Sequence, residues 1–513
     1  MRLDNLRCLG HSMKQKAAQC ILRGQWCHLA FLTFSIIFIF IFLKLFIAIS
    51  IGEPSLPEAY LELDRKLLSY HPSVLDIELK AKQTETAFYW KHNGQSRMSW
   101  PFQCRRLLEG EQNYVKEAIQ YTKDHPRKPV SNYLFIDLLG NCTDFKNRRG
   151  YLTKPLSDIE AEFPIAFSIL FYKDIHQVER LLRAIYHPQN TYCLHVDGYS
   201  SDMLLLAAKA LARCFDNVFV ASKLEKIVYA SYSRLKAEIN CMDDALQHNK
   251  TWKYYINLAS QDFPLKTNYE MVKILSLYNG SNDIEGIDGA RVLHSRFKYR
   301  FLLSQKRPRS KPSLTKTDQL KNKPPHGITI VRGSAYGIFS RDFVKFIIQD
   351  KRSRDLLEWS KDTFSPDEHF WATLHHLKHN PRLETPGGYK GEPNRKPWNA
   401  VYAAWGRGDI DPCFSGKFVH GVCIFGLADL PQLISRKEFF ANKFHFNFQY
   451  LALDCLEEWL YNRTVTPPIF DSYYFRRLPF INGPMLEPPT KKPKVKAKSA
   501  QKVQAKPKKI KAS

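Results

Sequence analysis

The sequence lacks the short glycine and cysteine motifs that mark several large enzyme classes. No GxGxxG motif follows a predicted strand, and neither a P-loop nor a GxSxG motif occurs. These absences argue against a dehydrogenase, a P-loop ATPase and a serine hydrolase. No CxxC pair occurs either, which disfavours a structural zinc site.

Acidic residues are scarce, but the imbalance is local. The 513 residues include 76 Lys and Arg against 50 Asp and Glu, a net charge of +26. Ten of the lysines lie in residues 491–513, which contain no acid. The rest is mildly basic and has no recognisable DNA- or RNA-binding module, so no nucleic-acid partner is expected. The composition of residues 488–513 predicts a disordered tail, either simply solvated or adhering to acidic glycans.

An uncharged run near the N-terminus predicts one membrane span over residues 28–51. Trp26 to Leu43 carries no charge, and about 20 apolar residues suffice to cross a bilayer as a helix. Basic residues precede the run, whereas Glu53 and Glu58 follow it. The positive-inside rule then predicts a cytosolic tail over 1–27 and a lumenal remainder, a type II topology. A cleaved signal peptide is the alternative, disfavoured by the length of the run.

Cysteines and sequons agree with a lumenal location. Eight cysteines follow the predicted span, and an even number in an oxidising compartment indicates a full disulfide set. Eight cysteines allow 105 connectivities, so their spacing leaves the pairing open. Four N-x-S/T sequons predict glycosylated surface loops, at Asn141, Asn249, Asn279 and Asn462.

Hydrophobic periodicity predicts a stem over residues 52–125 and a folded domain over 126–480. From about residue 163, short apolar strands alternate with helical patterns, which indicates an α/β fold with a parallel, Rossmann-like sheet. The predicted strands are Phe167–Tyr172, Tyr192–Asp197, Asn217–Ala221 and Trp252–Ala259, and the predicted helices are Val178–Tyr186 and Met203–Ala212. Ligands of such sheets bind beyond the carboxyl ends of the strands, where Asp197 lies. Residues 302–327 are basic and polar, which predicts a long surface loop.

Two acidic motifs are open to a structural and a chemical interpretation. In Ser365-Pro-Asp-Glu368, the spacing favours a capping box, with Ser365 as N-cap and Glu368 at the third helical position, over a catalytic Glu368. Asp409-Ile-Asp411 has the spacing of a divalent-cation site, although a turn is the favoured interpretation. His376 and His379 lack a third ligand at metal-site spacing.

Several long blocks resemble one family. The chain resembles the core 2 / I-branching β1,6-N-acetylglucosaminyltransferases of the Golgi from about Cys104 to Cys455. The run KPPHGITI looks most like the I-branching side. The blocks that carry the resemblance are LLRAIYHPQNTYCLHVD, CFDNVFVASKLEKIVYASYSRLKAEINC, YYINLASQDFPLKTN, GSAYGIFSRDFV, WSKDTFSPDEHFWATL, VCIFGLADL and FANKF.

The resemblance implies a GT-A type α/β fold and an inverting transfer of GlcNAc from UDP-GlcNAc to a sugar hydroxyl at carbon 6. It implies that Glu368 is the catalytic base, although the spacing from Ser365 favours a capping box. It implies neither a metal nor another cofactor, because basic side chains stabilise the diphosphate. These would be Lys443 and His420, the latter replacing an Arg of the core 2 enzymes. Histidine is only partly charged near neutral pH, so this contact is expected to strengthen in an acidic Golgi lumen.

The resemblance also carries over further positions, one by one. Trp405 stands where core 2 enzymes have Tyr, and Leu293 replaces an acceptor-binding Lys. The donor contacts map to Leu170, Phe171, Tyr172, Asp197, Gly198, Tyr199, Tyr229, His420 and Lys443. The acceptor contacts map to Glu285, Arg296, Glu368 and Trp405. The disulfides map to Cys104–Cys455, Cys142–Cys214, Cys193–Cys241 and Cys413–Cys423.

The expected partners are UDP-GlcNAc, a glycoprotein or glycolipid glycan and the Golgi membrane. The predicted product is a core 2 or I-antigen branch on galactose or GalNAc. Two alternatives stay open. More distant relatives transfer xylose to protein serine, and a site altered at His420 and Leu293 is compatible with a glycan-binding protein that has lost catalysis.

Overall fold

The computed structural model describes residues 101–482, apart from 306–309 and 407–411. The predicted cytosolic tail, membrane span and Lys-rich tail lie outside the described residues, as do residues 52–100 of the predicted stem. The Asp409-Ile-Asp411 motif lies outside them too. Within the described part, no helix is both long and apolar enough to cross a membrane.

A six-stranded sheet with the order β3-β2-β1-β4-β9-β6 forms the centre of the fold. Strands β3, β2, β1 and β4 run parallel, whereas β9 is antiparallel to both β4 and β6. Its strands are β1 (Ile165–Phe171), β2 (Thr191–Val196), β3 (Val218–Val220), β4 (Tyr254–Ala259), β6 (Asp283–Ile284) and β9 (Gly337–Ser340).

Smaller sheets supply the remaining strands. A three-stranded sheet has the order β10-β13-β5, and two hairpins pair β7 with β8 and β11 with β12. These strands are β5 (Asp262–Pro264), β7 (Tyr299–Ser304), β8 (Ser313–Leu320), β10 (Val401–Tyr402), β11 (Phe418–Val419), β12 (Val422–Cys423) and β13 (Phe440–Asn442).

Helices surround the central sheet. The first half contains α1 (Cys104–Leu108), α2 (Gln112–Asp124), α3 (Asn132–Leu138), α4 (Cys142–Arg149), α5 (Asp158–Ala161), α6 (Ile175–Ile185), α7 (Asp202–Arg213), α8 (Tyr232–His248) and α9 (Asn268–Tyr278). The second half contains α10 (Arg341–Gln349), α11 (Lys351–Trp359), α12 (Phe370–His375), α13 (Leu430–Ser435), α14 (Leu451–Val465) and α15 (Pro479–Asn482).

The predicted α/β class and the four predicted strands are confirmed. Strands β1 and β2 are almost wholly buried and read as continuous apolar runs, the pattern of a parallel sheet covered on both faces. Separate apolar clusters lie around Leu181 and Phe167 and around Trp252 and Trp371. The sheet is therefore buried between helices, and its carboxyl-end loops are free to build a site.

Helices α1 and α2 pack against the domain, although they fall within the range that the sequence assigns to a stem. Leu107 and Ala118 are fully buried in an apolar cluster with Leu456 of α14. Beside them, Asp454 accepts hydrogen bonds from Arg127 and Arg180 at 3.0 and 2.7 Å. Buried charges require such pairing because leaving one unpaired is costly.

All four disulfides implied by the resemblance are confirmed. The bridges are Cys104–Cys455, Cys142–Cys214, Cys193–Cys241 and Cys413–Cys423. The first joins residues 351 positions apart and ties α1 to α14. The pairing consumes every cysteine after the predicted membrane span.

The predicted long loop over 302–327 is wrong, because the segment contains the end of β7 and all of β8, which pair as antiparallel strands. Both strands are largely exposed, so they lack the apolar alternation by which a half-buried strand is recognised. Of the sequons, Asn141 caps α4 through its side chain, Asn279 ends α9 and Asn462 lies within α14. The side chain of Asn249 accepts hydrogen bonds from Thr251.

Candidate active site

The loops after β1 and β2 meet at the carboxyl edge of the sheet. The amide of Asp197 donates to the carbonyl of Phe171 at 2.8 Å. One carboxylate oxygen of Asp197 accepts from the amides of Tyr199 and Ile227, at 3.0 and 2.9 Å. Within the described part of the chain, both of these hydrogen bonds go to the same oxygen of Asp197 and none goes to the other.

Gly198 allows a neighbouring segment to approach closely. A Cβ at this position would lie 3.0 Å from Cγ of Lys226 and 3.2 Å from the carbonyl oxygen of Glu225. The Gly198 amide donates to that carbonyl at 2.8 Å. Around these loops, Leu170 is half-buried, Phe171 is buried and Tyr172 is 57% exposed. They leave a surface on which a planar or sugar ring can lie.

Glu368 ends a single 3-10 turn, Pro366–Glu368, so the predicted capping box is wrong. Ser365 has a left-handed φ of 46° and its side chain makes no capping bond, whereas an N-cap needs extended backbone. The Ser365 amide instead donates to the carbonyl of Ala230 at 2.7 Å. The Glu368 carboxylate is thus freed from the helix end and accepts from Arg296 at 2.5 Å.

Glu285 lies beside this turn. Burial raises the pKa of its carboxyl group and the nearby Glu368 charge raises it further, while Arg332 opposes both effects. Gly333 brings the two segments together: its amide donates to the Glu368 carbonyl at 2.7 Å. A Cβ on Gly333 would lie 2.4 Å from the Glu285 carbonyl oxygen. The structure therefore gathers Glu285, Arg296 and Glu368.

Behind Glu368 lies a polar network that the sequence reasoning did not find. Asp367 pairs with Arg234 of α8, whose guanidinium lies 5.4 Å from the centre of the Tyr336 ring. Asn442 donates to Asp262 at 2.5 Å and lies 3.5 Å from the Tyr336 hydroxyl. Burial raises the pKa of Asp262 to about 7. The sequence did offer one signal for this network, because Asp262 lies in YYINLASQDFPLKTN, one of the blocks that carry the family resemblance.

Lys443 follows that network directly, after β13. Its side chain makes no ion pair in the described part of the chain, and burial lowers the pKa of its ammonium group. Its carbonyl accepts from the amide of Phe425 at 3.0 Å, which places it beside the segment that follows β12. An unpaired, half-buried cation is suited to bind an anionic ligand.

His420 is displayed by a two-residue hairpin turn between β11 and β12. His420 and Gly421 have φ values of 53° and 78°, the pattern of a type I′ turn. The His420 ring centre lies 6.5 Å from that of Tyr229, which is 81% exposed. Trp405 bridges to Val422 of the same hairpin and is 55% exposed. His420 and Tyr229 therefore lie close together, and Trp405 is bridged to the strand that follows His420.

Leu293, at the position of an acceptor-binding Lys in the core 2 enzymes, lies on the surface. Leu293 directly precedes the 3-10 turn His294–Arg296 and is 41% exposed.

Cys413, Cys423 and Asp429 are the one group of three potential metal-binding side chains that lie close together in the described residues. Its cysteines are disulfide-bonded, so they supply no thiolate. His379 pairs with Asp288 at 2.8 Å, apart from the buried His376.

Comparison with known proteins identifies the family. Residues 165–434 match the family model described as Core-2/I-Branching enzyme. A human β-1,3-galactosyl-O-glycosyl-glycoprotein β-1,6-N-acetylglucosaminyltransferase 3 is 39% identical over 70% of this chain and 82% of its own length. A human N-acetyllactosaminide β-1,6-N-acetylglucosaminyl-transferase is 38% identical over 72% of this chain and 88% of its own. The chain is therefore a glycosyltransferase that belongs to the Core-2/I-branching enzyme family.

Proposed function

We propose that the chain transfers GlcNAc from UDP-GlcNAc, in β1,6 linkage, to galactose or GalNAc of glycoprotein or glycolipid glycans. The observation that carries this proposal is the Glu368 carboxylate, held by Arg296 beside Glu285 in an α/β domain. We infer that this domain is of the GT-A type. Relatives at 37–39% identity are named for β1,6-N-acetylglucosaminyl transfer.

Glu368 acts as general base in this proposal. As the acceptor hydroxyl oxygen bonds to the anomeric carbon, its proton passes to the Glu368 carboxylate and the bond to the diphosphate breaks. Attack from the opposite face inverts the anomeric centre. The ion pair with Arg296 holds the carboxylate in a defined position.

Basic side chains stabilise the departing UDP, without a metal or other cofactor. Lys443 and His420 supply the positive charge, since preformed cations stabilise the charge that develops on the leaving group. The second oxygen of Asp197 binds the ribose or uracil. The other donor contacts are Leu170, Phe171, Tyr172, Gly198, Tyr199 and Tyr229.

The acceptor sugar lies between the exposed Trp405 ring and the carboxylates. Glu285 and Arg296 bind its hydroxyls, and Trp405 offers a flat apolar surface to one sugar face. Leu293 removes one potential polar contact, so acceptor orientation depends more on Trp405.

We infer a Golgi membrane location with the catalytic domain in the lumen. Four disulfides support an oxidising compartment, and the uncharged run within residues 28–51 supports a type II anchor. Asn141, Asn249, Asn279 and Asn462 are then proposed glycosylation sites.

The test is an assay of the full chain in detergent with UDP-GlcNAc and EDTA. A core 1 disaccharide and lacto-N-neotetraose serve as acceptors, and the better one distinguishes core 2 from I-type branching. Transfer in EDTA supports the metal-free mechanism. UDP binding without transfer to either acceptor favours the alternative of a glycan-binding protein that has lost catalysis. Transfer from UDP-xylose to a serine peptide favours the alternative of a xylosyltransferase.

A further inference from the structure

The hairpin β7–β8 carries an excess of positive charge, most of it outside ion pairs. Its described residues, 298–305 and 310–323, contain six Lys and Arg against one Asp, a net charge of +5. We call these residues the basic hairpin. Two of the cations pair with Asp362. The other four make no ion pair within the described part of the chain; they are Lys298, Lys311, Lys316 and Lys323.

The basic hairpin is fixed at its base to the segment that leads into Glu368. Arg300 donates to Asp362 at 2.7 Å, and the Trp359 indole donates to the carbonyl of Asn322 at 2.9 Å. The rings of Phe301 and Phe364 lie 5.5 Å apart. The hairpin therefore holds a defined position beside the candidate active site.

Its two ends reach different sides of that site. Tyr299 follows Arg296 by three residues, so their Cα atoms are at most about 11 Å apart. The Lys298 and Lys316 ammonium groups lie 5.4 and 4.1 Å from the centre of the Tyr299 ring. Towards the other end, the Lys311 ammonium lies 5.2 Å from the Tyr199 ring. A row of cations thus runs from the acceptor side to the donor side.

The basic hairpin also exposes apolar side chains and free strand edges. Leu302, Leu303 and Leu320 are 46%, 56% and 67% exposed. These leucines border a groove of about 1260 Å³ with Trp359 and Tyr232, in which four basic side chains are balanced by four carboxylates. Within the described residues, β7 and β8 pair only with each other, so their outer edges are open to another strand.

We propose that the basic hairpin binds an acidic polypeptide segment of the acceptor glycoprotein, next to the glycan being branched. This rests on the proposed function. Cations alone would suit a sulfate or carboxylate on the glycan. A polypeptide fits better, because the hairpin combines these cations with exposed leucines and open strand edges.

The experiment compares three acceptors that carry the same core 1 disaccharide, using the full chain in detergent. One is a benzyl glycoside, one a glycopeptide flanked by Asp and Glu, and one the same glycopeptide with Asn and Gln. We expect a KM about fivefold lower for the acidic glycopeptide than for the neutral one, since two exposed ion pairs contribute about this much. The difference should shrink in 0.5 M NaCl.

The variant Lys298→Glu/Lys316→Glu should abolish this preference and leave transfer to the benzyl glycoside unchanged. Lys116→Glu, at an exposed lysine of α2, is the matched control and should retain the preference. Unchanged transfer to the benzyl glycoside also shows that the variant folds.

Three results would overturn the proposal. They are equal KM values for the two glycopeptides, an equal loss of transfer to all three acceptors in the variant, or a preference for a sulfated benzyl glycoside without one for the acidic peptide. Fluorescence anisotropy of the labelled acidic peptide tests the hairpin separately from catalysis. Wild-type protein should bind the peptide and the double variant should not. This binding test does not require GlcNAc transfer, so a failure of the proposed transfer can be told apart from a failure of the hairpin to bind the peptide.

Discussion

At the scale of single residues, the role of Glu368 depends on contacts distant in sequence. The Ser-Pro-Asp-Glu spacing fits a helix cap, and only the bond from Ser365 to Ala230 and the ion pair with Arg296 release the carboxylate. Both partners lie more than 70 positions earlier, so spacing alone did not predict this outcome. The resemblance did predict the three side chains that meet there, whereas it did not single out Arg234.

Glu368→Gln should lower kcat by about 10²–10⁴-fold, the usual contribution of a general base. UDP binding, measured by calorimetry, should remain unchanged because the substitution keeps the shape of the side chain. Glu358→Gln removes an exposed carboxylate on α11 and is the matched control. Comparable turnover by the Glu368 variant would refute the base assignment.

His420→Ala should raise the KM for UDP-GlcNAc severalfold and leave the KM for the acceptor unchanged. The reason is that the substitution removes a polar contact to the diphosphate of the donor. Steady-state kinetics with the donor and the acceptor varied in turn check this expectation. An unchanged donor KM would show that the ring does not contact the donor.

At the scale of elements, the buried strands could be predicted from the sequence and the exposed ones could not. Strands β1 to β4 are apolar because helices cover the sheet on both faces, and their pattern predicted them. The hairpin β7–β8 is largely exposed, so its sequence shows no regular alternation of apolar and polar residues. Helices α1 and α2 pack against α14, which follows more than 300 residues later, so their local pattern carries no sign of this contact.

The double variant Cys104→Ser/Cys455→Ser should lower stability more than Cys413→Ser/Cys423→Ser. The first bridge closes a loop of 351 residues and the second a loop of 10, so the chain-entropy model gives about 6 against about 3 kcal/mol. Urea unfolding of the two variants measures the difference. Equal losses would mean that native-state contacts, not loop length, set the contribution of these bridges.

At the scale of the whole molecule, buried histidines couple folding to pH. Burial lowers the pKa of His187 to about 4, and burial together with nearby cations lowers those of His369 and His376 to about 3. The unfolded chain takes up these protons near pH 6.5. Their stabilisation is therefore complete above that pH and is lost as the pH falls. Asp262, whose pKa is raised to about 7, acts in the opposite direction.

Lowering the pH from 7.5 to 5 should therefore reduce the melting temperature. Each fully buried histidine of this kind contributes a loss of about 2 kcal/mol at pH 5, and three such groups outweigh one aspartate. Thermal unfolding across this range measures the effect, and His187→Gln should make the slope shallower. A melting temperature that stays constant or rises towards pH 5 would contradict the argument.

The bridge between α1 and α14 also has a mechanical consequence. A load applied to the chain ahead of residue 104 does not peel α1 away turn by turn, because Cys104 passes the force through a covalent bond to Cys455. The force then acts on α14 next to Asp454, a buried residue that accepts hydrogen bonds from Arg127 and Arg180. A tether at that end would therefore pull on the buried side of α14, at Cys455 and Asp454.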